Sequence, residues 1–143
     1  MVIVRKRKGN RSRGAAAVEA ALVMPILLLV SFGAIKYGWL FLRAQQITNA
    51  ARYGARVAIR ADASSTDVTT AIANLMTAAG MGSSGYSVTI SLEGGIPWED
   101  LEMGNAITVE VSVPGANIDI MNVPLFPDVG DIGASVTMAK EGI

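Results

Sequence analysis

Between Ala15 and Ile35 the chain runs for 21 residues with a single charge, Glu19. Wound as an α-helix, a run of that length spans roughly 30 Å, the thickness of a bilayer's hydrocarbon core. The residues on either side suit that reading. Arg5, Lys6, Arg7, Lys8, Arg11 and Arg13 precede the run, with no acid among them. Lys36, Tyr37, Trp39 and Arg43 follow it, and aromatic rings and long cations are at home at the far interface, where the cations can snorkel to water. Pro25 inside the run is expected to kink it locally, which membrane helices tolerate. The dense basic leader favours an N-terminus on the cytoplasmic side. The bias is modest, because Lys36, Arg43, Arg52, Arg56 and Arg60 lie beyond the segment.

The formal net charge of zero hides an asymmetry. Residues 61–143 hold eleven acidic groups and one base, Lys140. That half reads as a solvated acidic domain, and the leader as a membrane flank. Nothing points to nucleic acid. The chain has no cysteine and no histidine, which excludes disulfides and thiol chemistry and removes the commonest general base and metal ligand.

Residues 44–60, AQQITNAARYGARVAIR, contain no proline and continue the helix. Arg52, Arg56 and Arg60 recur every four residues as one basic stripe. Ala50, Ala51, Tyr53, Gly54, Val57 and Ala58 leave the rest of that surface mostly small and apolar. A second helix is expected over roughly Asp67 to Ala79, capped by Thr66 or Ser65, with Val68, Ile72, Leu75, Met76 and Ala79 at helical spacing. Gly80 suits the left-handed position that closes it. YSVTISL (86–92) and AITVEVSV (106–113) alternate apolar and polar residues as half-buried strands do, and IGASVTMAK (132–140) does so more weakly. The expected fold class is α+β: a long N-terminal helix, then a small domain of one helix on an antiparallel meander of about three strands.

The stretch RGAAAVEAALVMPILLLVSFGAIKYGWLFLRAQQITNAARYGAR resembles the TadE-like family, minor pilins or pseudopilins of the tight-adherence (Flp) pilus, a branch of the type IV pilus machinery. The shared features are a basic leader ending at Arg13-Gly14, a glutamate five residues after the glycine, an apolar segment with embedded Met24-Pro25, the pair Gly38-Trp39, and N-A-A-R-x-G-A-R at Asn49 to Arg56. The ending ASVTMAKE looks like the family's short terminal strand. The position after Glu19 is Ala20, where the family usually has an aromatic. The strong match covers about residues 13–60, and residues 61–131 carry no motif of the family.

The resemblance implies three regions: a leader over 1–14, a transmembrane or pilin helix with its continuation over 15–60, and an extracytoplasmic domain over 61–143. It implies cleavage between Gly14 and Ala15 by a membrane prepilin peptidase. The helix would then pass from lipid into a bundle of pilin helices. Glu19 would serve recognition and assembly, pairing with the new α-amine of a neighbouring subunit's Ala15, whose reference pKa is about 8. Such a buried pair fixes register more than it adds stability. The implied partners are the prepilin peptidase, the major Flp pilin, other pseudopilins, the inner-membrane assembly platform and membrane lipid. The implied location is the bacterial inner membrane in a single pass, with incorporation into a surface pilus. No cofactor, metal or enzymatic activity is implied.

Each of these residues also has a plainer reading. Glu19 can lie at the interface near a helix N-terminus and do nothing specific. The leader can be an ordinary signal peptide, although Phe32 in SFGA occupies a position where a small residue is wanted, or the helix can stay as a permanent anchor. Arg52, Arg56 and Arg60 can be a solvated face or can bind acidic partners, including this chain's own acidic half or a neighbour's. Pro25 gives local flexibility, and Gly33, Gly38 and Gly54 are candidate close-packing positions between helices. Glu99, Asp100 and Glu102, like Asp128 and Asp131, do not follow the calcium-loop spacing and read as solvated acidic loops. GMGSSG and EGGI are turns. VPLFPDV is either a contact surface or a cover for the end of the sheet. Two rivals to the pilin reading remain: a membrane-anchored binding module with its specificity in loops 93–105 and 114–131, and an enzyme, for which Ser, Lys, Asp and Glu are left as catalytic groups and no serine–lysine or paired-carboxylate motif stands out.

Overall fold

The computed structural model describes residues 11–121 and 127–142, with side chains from residue 14 onward. The basic residues Arg5 to Lys8 and the VPLF of the VPLFPDV loop lie outside the described residues. The fold is α+β: α1 (Arg11–Ala58), α2 (Ser65–Ala78), β1 (Ser87–Leu92), β2 (Ala106–Val113) and β3 (Ile132–Ala139), with short 3₁₀ turns at Glu93–Gly95, Trp98–Asp100 and Gly115–Asn117. The chain divides into two compact units, Met1–Ile35 and Lys36–Ile143.

In the first unit the described residues are all helical, and residues 14–32 are all exposed, Leu22, Ile26, Leu27 and Phe32 among them. The helix runs on through Pro25. Proline has no N–H, so the carbonyl four residues back loses its helical donor.

The second unit is built on a three-stranded antiparallel meander in the order β1-β2-β3. The register pairs Val88 with Val111, Ile90 with Val109, and Val109 with Val136. The alternation in β2 therefore turns Ile107, Val109, Val111 and Val113 to one face, where all four are fully buried. The other face carries hydroxyls and one carboxylate: Thr89, Glu110 and Ser135 form one cross-strand row, and Ser91, Thr108 and Thr137 another. The Thr108 and Thr137 hydroxyls bond each other at 2.7 Å.

Against the apolar face lie α2, through Val68, Ile72 and Met76, and the C-terminal part of α1, through Ile47, Ala50, Ala51, Ala55 and Ala58. The alanines let the helix backbone come close to its neighbours. Gly54 marks the tightest point. A Cβ there would stand 2.6 and 2.7 Å from two carbons of Ile72 and 3.4 Å from Val109, so α2 and β2 both pack onto the bare backbone.

Helix α2 starts two residues earlier than the apolar spacing alone indicates, because its cap is Ser64. The Ser64 hydroxyl accepts from the Asp67 N–H (3.2 Å), and the Asp67 carboxylate accepts from the Ser64 N–H (2.9 Å), a reciprocal capping box. At the other end Gly80 takes φ +70. The N–H of Met81 reaches the Met76 carbonyl, and that of Gly80 the Thr77 carbonyl, closing the helix by a Schellman motif.

Candidate assembly interface

Gly14 and Ala15 lie in the opening turns of α1. Both residues are exposed, and among the described residues nothing stands within 4 Å of where a Gly14 Cβ would be. Glu19 is exposed, one helical turn beyond Ala15 and on the same face. The apolar window of this helix is long enough to cross a membrane, and none of it is buried. One such N-terminal helix suits a single membrane crossing. Gly33 is half-buried and Gly38 exposed. Gly38 has nothing within 4 Å of a Cβ position, whereas Gly54 is filled by its own domain.

Lys36, Trp39 and Arg43 differ from the interfacial role expected of them. Lys36 is buried to 1% exposure, and its Nζ meets the Asp119 carboxylate at 2.9 Å. The ammonium also donates to the carbonyls of Met121 (3.3 Å) and Pro127 (3.5 Å). One turn on, the Trp39 indole N–H donates to the Ile118 carbonyl at 2.9 Å. Another turn on, the Arg43 guanidinium lies 4.2 Å from the Trp39 ring centroid and donates to the Ala79 carbonyl at 2.6 Å. Three side chains along one helix stripe thus fasten Ile118, Asp119, Met121 and Pro127 and the end of α2. The Lys36 hydrogen bond, then the Met121 N–H, hold the Asp119 carboxyl below its ordinary pKa. The Ser64 hydroxyl and N–H do the same for Asp67.

The motif N-A-A-R-x-G-A-R divides by face. Ala50, Ala51, Gly54 and Ala55 are buried in the core, while Asn49, Arg52, Tyr53 and Arg56 are exposed. The outward half borders a shallow groove between α1 and α2, two adjoining hollows of about 370 and 340 Å³ that share Tyr53 and Leu75. Arg60, the last member of the basic stripe, lies past the end of α1, with its Nε 3.9 Å from Asp62. Arg52 and Arg56 make no ion pair among the described residues.

Residues 14–56 match the family model of the TadE-like protein. The match begins at the glycine of the Arg13-Gly14 pair and ends at the last arginine of the motif, covering less than a third of the chain. It associates the N-terminal region with the proteins of the Tad pilus. No curated protein and no solved structure matches the chain. The TadE-like segment therefore holds two kinds of residue. Up to Ile35 its side chains are almost all exposed, and from Lys36 on one face is built into the chain's own α+β unit.

The residues that sequence reasoning missed are those whose partners are backbone carbonyls. Trp98 is one more: its indole N–H donates to the Ala63 carbonyl at 2.7 Å, pinning the loop after β1. A carbonyl has no sequence signature. Only Asp119, an acid among apolar neighbours in NIDIM, offered a side-chain clue to the site of Lys36.

Proposed function

We propose that this chain is a minor pilin, or pseudopilin, of a Flp/Tad-type pilus. A prepilin peptidase cuts between Gly14 and Ala15 on the cytoplasmic face, and the α+β unit lies outside the inner membrane. The apolar helix moves from lipid into a bundle with the major pilin and other pseudopilins at the assembly platform. The role is structural, with consequences for adhesion. The observation that supports this best is the TadE-like match together with an apolar helix that leaves Glu19 and every residue from Gly14 to Phe32 uncovered. In lipid or in a helix bundle those side chains gain partners they lack here. A Glu19 carboxylate in such a bundle needs a cation, and the Ala15 amine of a neighbouring copy is one that processing itself creates.

Mass spectrometry of the mature N-terminus, from membranes and from sheared pili, tests the reading. A chain starting at Ala15 is expected in both fractions. A start near Ile35 would mark an ordinary signal peptide and sink the proposal. Glu19→Gln is expected to reduce incorporation into pili, and unchanged cleavage and incorporation would remove Glu19 from the mechanism. Exchanging residues 15–35 for an unrelated apolar anchor is expected to abolish assembly. Retained activity would favour a merely anchored binding module.

A further inference from the structure

We infer that the groove between α1 and α2 is a docking site for the acidic loop 99–103 of a second copy of this chain. The inference deepens the assembly reading and rests on it, since the copies must be confined side by side. The groove places two exposed cations, Arg52 and Arg56, beside a half-exposed Tyr53 and the partly exposed Leu75. Asp67 stands at the far end, its carboxylate already engaged by Ser64. The loop offers the complement. Glu99, Asp100 and Glu102 are exposed and make no ion pair among the described residues, and Met103 projects beside them at 76% exposure. A thioether is well suited to a shallow aromatic and aliphatic hollow.

The loop is also already held in shape. Trp98 anchors its start to Ala63, the Glu102 N–H donates to the Asn105 side-chain oxygen at 2.7 Å, and the Gly104 N–H donates to the Lys140 carbonyl at 3.0 Å. Little conformational freedom remains to be lost on docking. The two surfaces are different patches of one molecule. A head-to-tail contact between them extends from copy to copy wherever the rotation relating the copies does not close. Each exposed ion pair is weak. The contact acts where membrane helices already hold copies at high effective concentration, and there it sets their relative orientation.

The absence of native cysteine makes the test clean. Full-length chains carrying Tyr53→Cys and, on a separately tagged copy, Met103→Cys are co-expressed and oxidised in membranes. A disulfide-linked species is expected from the mixture and not from either variant alone. Arg52→Glu with Arg56→Glu on the first copy is expected to lower its yield several-fold, and Glu99→Lys with Glu102→Lys on the second copy to restore it. No mixed product, a yield indifferent to the reversal, or failure of the paired reversal to rescue would each overturn the contact. The same samples are read for the mature N-terminus. A start at Ala15 without the cross-link overturns the contact alone, and any other start overturns the assembly reading itself.

Discussion

Lys36→Met removes a buried ammonium and leaves the Asp119 carboxylate behind. The pair is 2.9 Å apart, with side-chain exposures of 1% and 8%. Breaking such a pair from one side costs about 3–5 kcal/mol, because the surviving charge stays desolvated without its counterion. Asp119 keeps the Met121 N–H and the residue retains some solvent contact, so the low end, about 3 kcal/mol, applies. For a folded unit of this size that is a fall of roughly 12 °C, at about 4 °C per kcal/mol. Asp119→Asn should cost less, since Lys36 keeps its carbonyl partners. The combination Lys36→Met with Asp119→Leu should recover about 2 kcal/mol relative to the sum of Lys36→Met and Asp119→Leu measured singly, the mark of a coupled pair. The assay is thermal unfolding of the full chain in detergent, followed by tryptophan fluorescence, because Trp39 is bonded to the same loop at Ile118. Additive single and double variants, or a Lys36→Met shift under about 1 kcal/mol, would refute the reasoning that this contact holds the loop.

Gly54→Ala drives a methyl into Ile72, which is itself fully buried. The cost should be about 1–3 kcal/mol, read as a lower denaturant midpoint at unchanged slope. Gly115→Ala should be worse, because a Cβ there collides with the backbone carbonyls of Val129 and Gly130, which cannot rotate away as a side chain can; loss of folded, detergent-extractable protein on expression is the expected readout. Gly38→Ala meets nothing among the described residues and should leave melting unchanged or raise it slightly; reduced assembly of a stable Gly38→Ala chain would show that a neighbouring helix needs that space. For pH, Asp119 and Asp67 both titrate below their ordinary range when folded. Their stabilisation is therefore complete above the unfolded carboxylate value near 3.9 and is lost as pH falls through the lower folded values. Melts at pH 7 and 5 should agree as far as these groups are concerned, with a drop below about pH 4 that Asp119→Asn reduces.

Periodicity carried most of the fold. Strand β2 occupies 106–113, as its unbroken alternation of Ile107, Val109, Val111 and Val113 indicates, and β3 ends one residue short of Lys140. The α2 spacing identified Val68, Ile72 and Met76 as its buried stripe. The boundary at Ser64 escaped because Ser64, Ser65 and Thr66 are chemically interchangeable caps. Only the reach of the Asp67 carboxylate back to residue 64 decides among them. Lys36, Trp39 and Arg43 were misread for a physical reason too. Cations and aromatics after an apolar run look the same whether they face lipid headgroups or a loop that returns from some eighty residues away. In the TadE-like motif, the alternation of small and charged residues showed two faces. Which face the domain would cover depends on α2 and the sheet, whose sequence carries no matching signal.

The Lys36 clamp also bears on the order in which the chain can acquire its structure. Lys36 is made 85 residues before Met121 and 91 before Pro127. The carbonyl of Ile59, just past α1, waits for the N–H of Glu141. Helix α1 can wind locally as it emerges, and α2 is a self-capped segment. The contacts that fasten them to the sheet are of high sequence separation and close late. Until synthesis has passed Asp119, Lys36 lacks that counterion, and until β3 is complete one edge of β2 lacks its hydrogen-bonding strand. A ribosome that stalls before that point leaves a chain with a finished membrane helix and an unfinished domain, which is the species most exposed to misassociation and proteolysis.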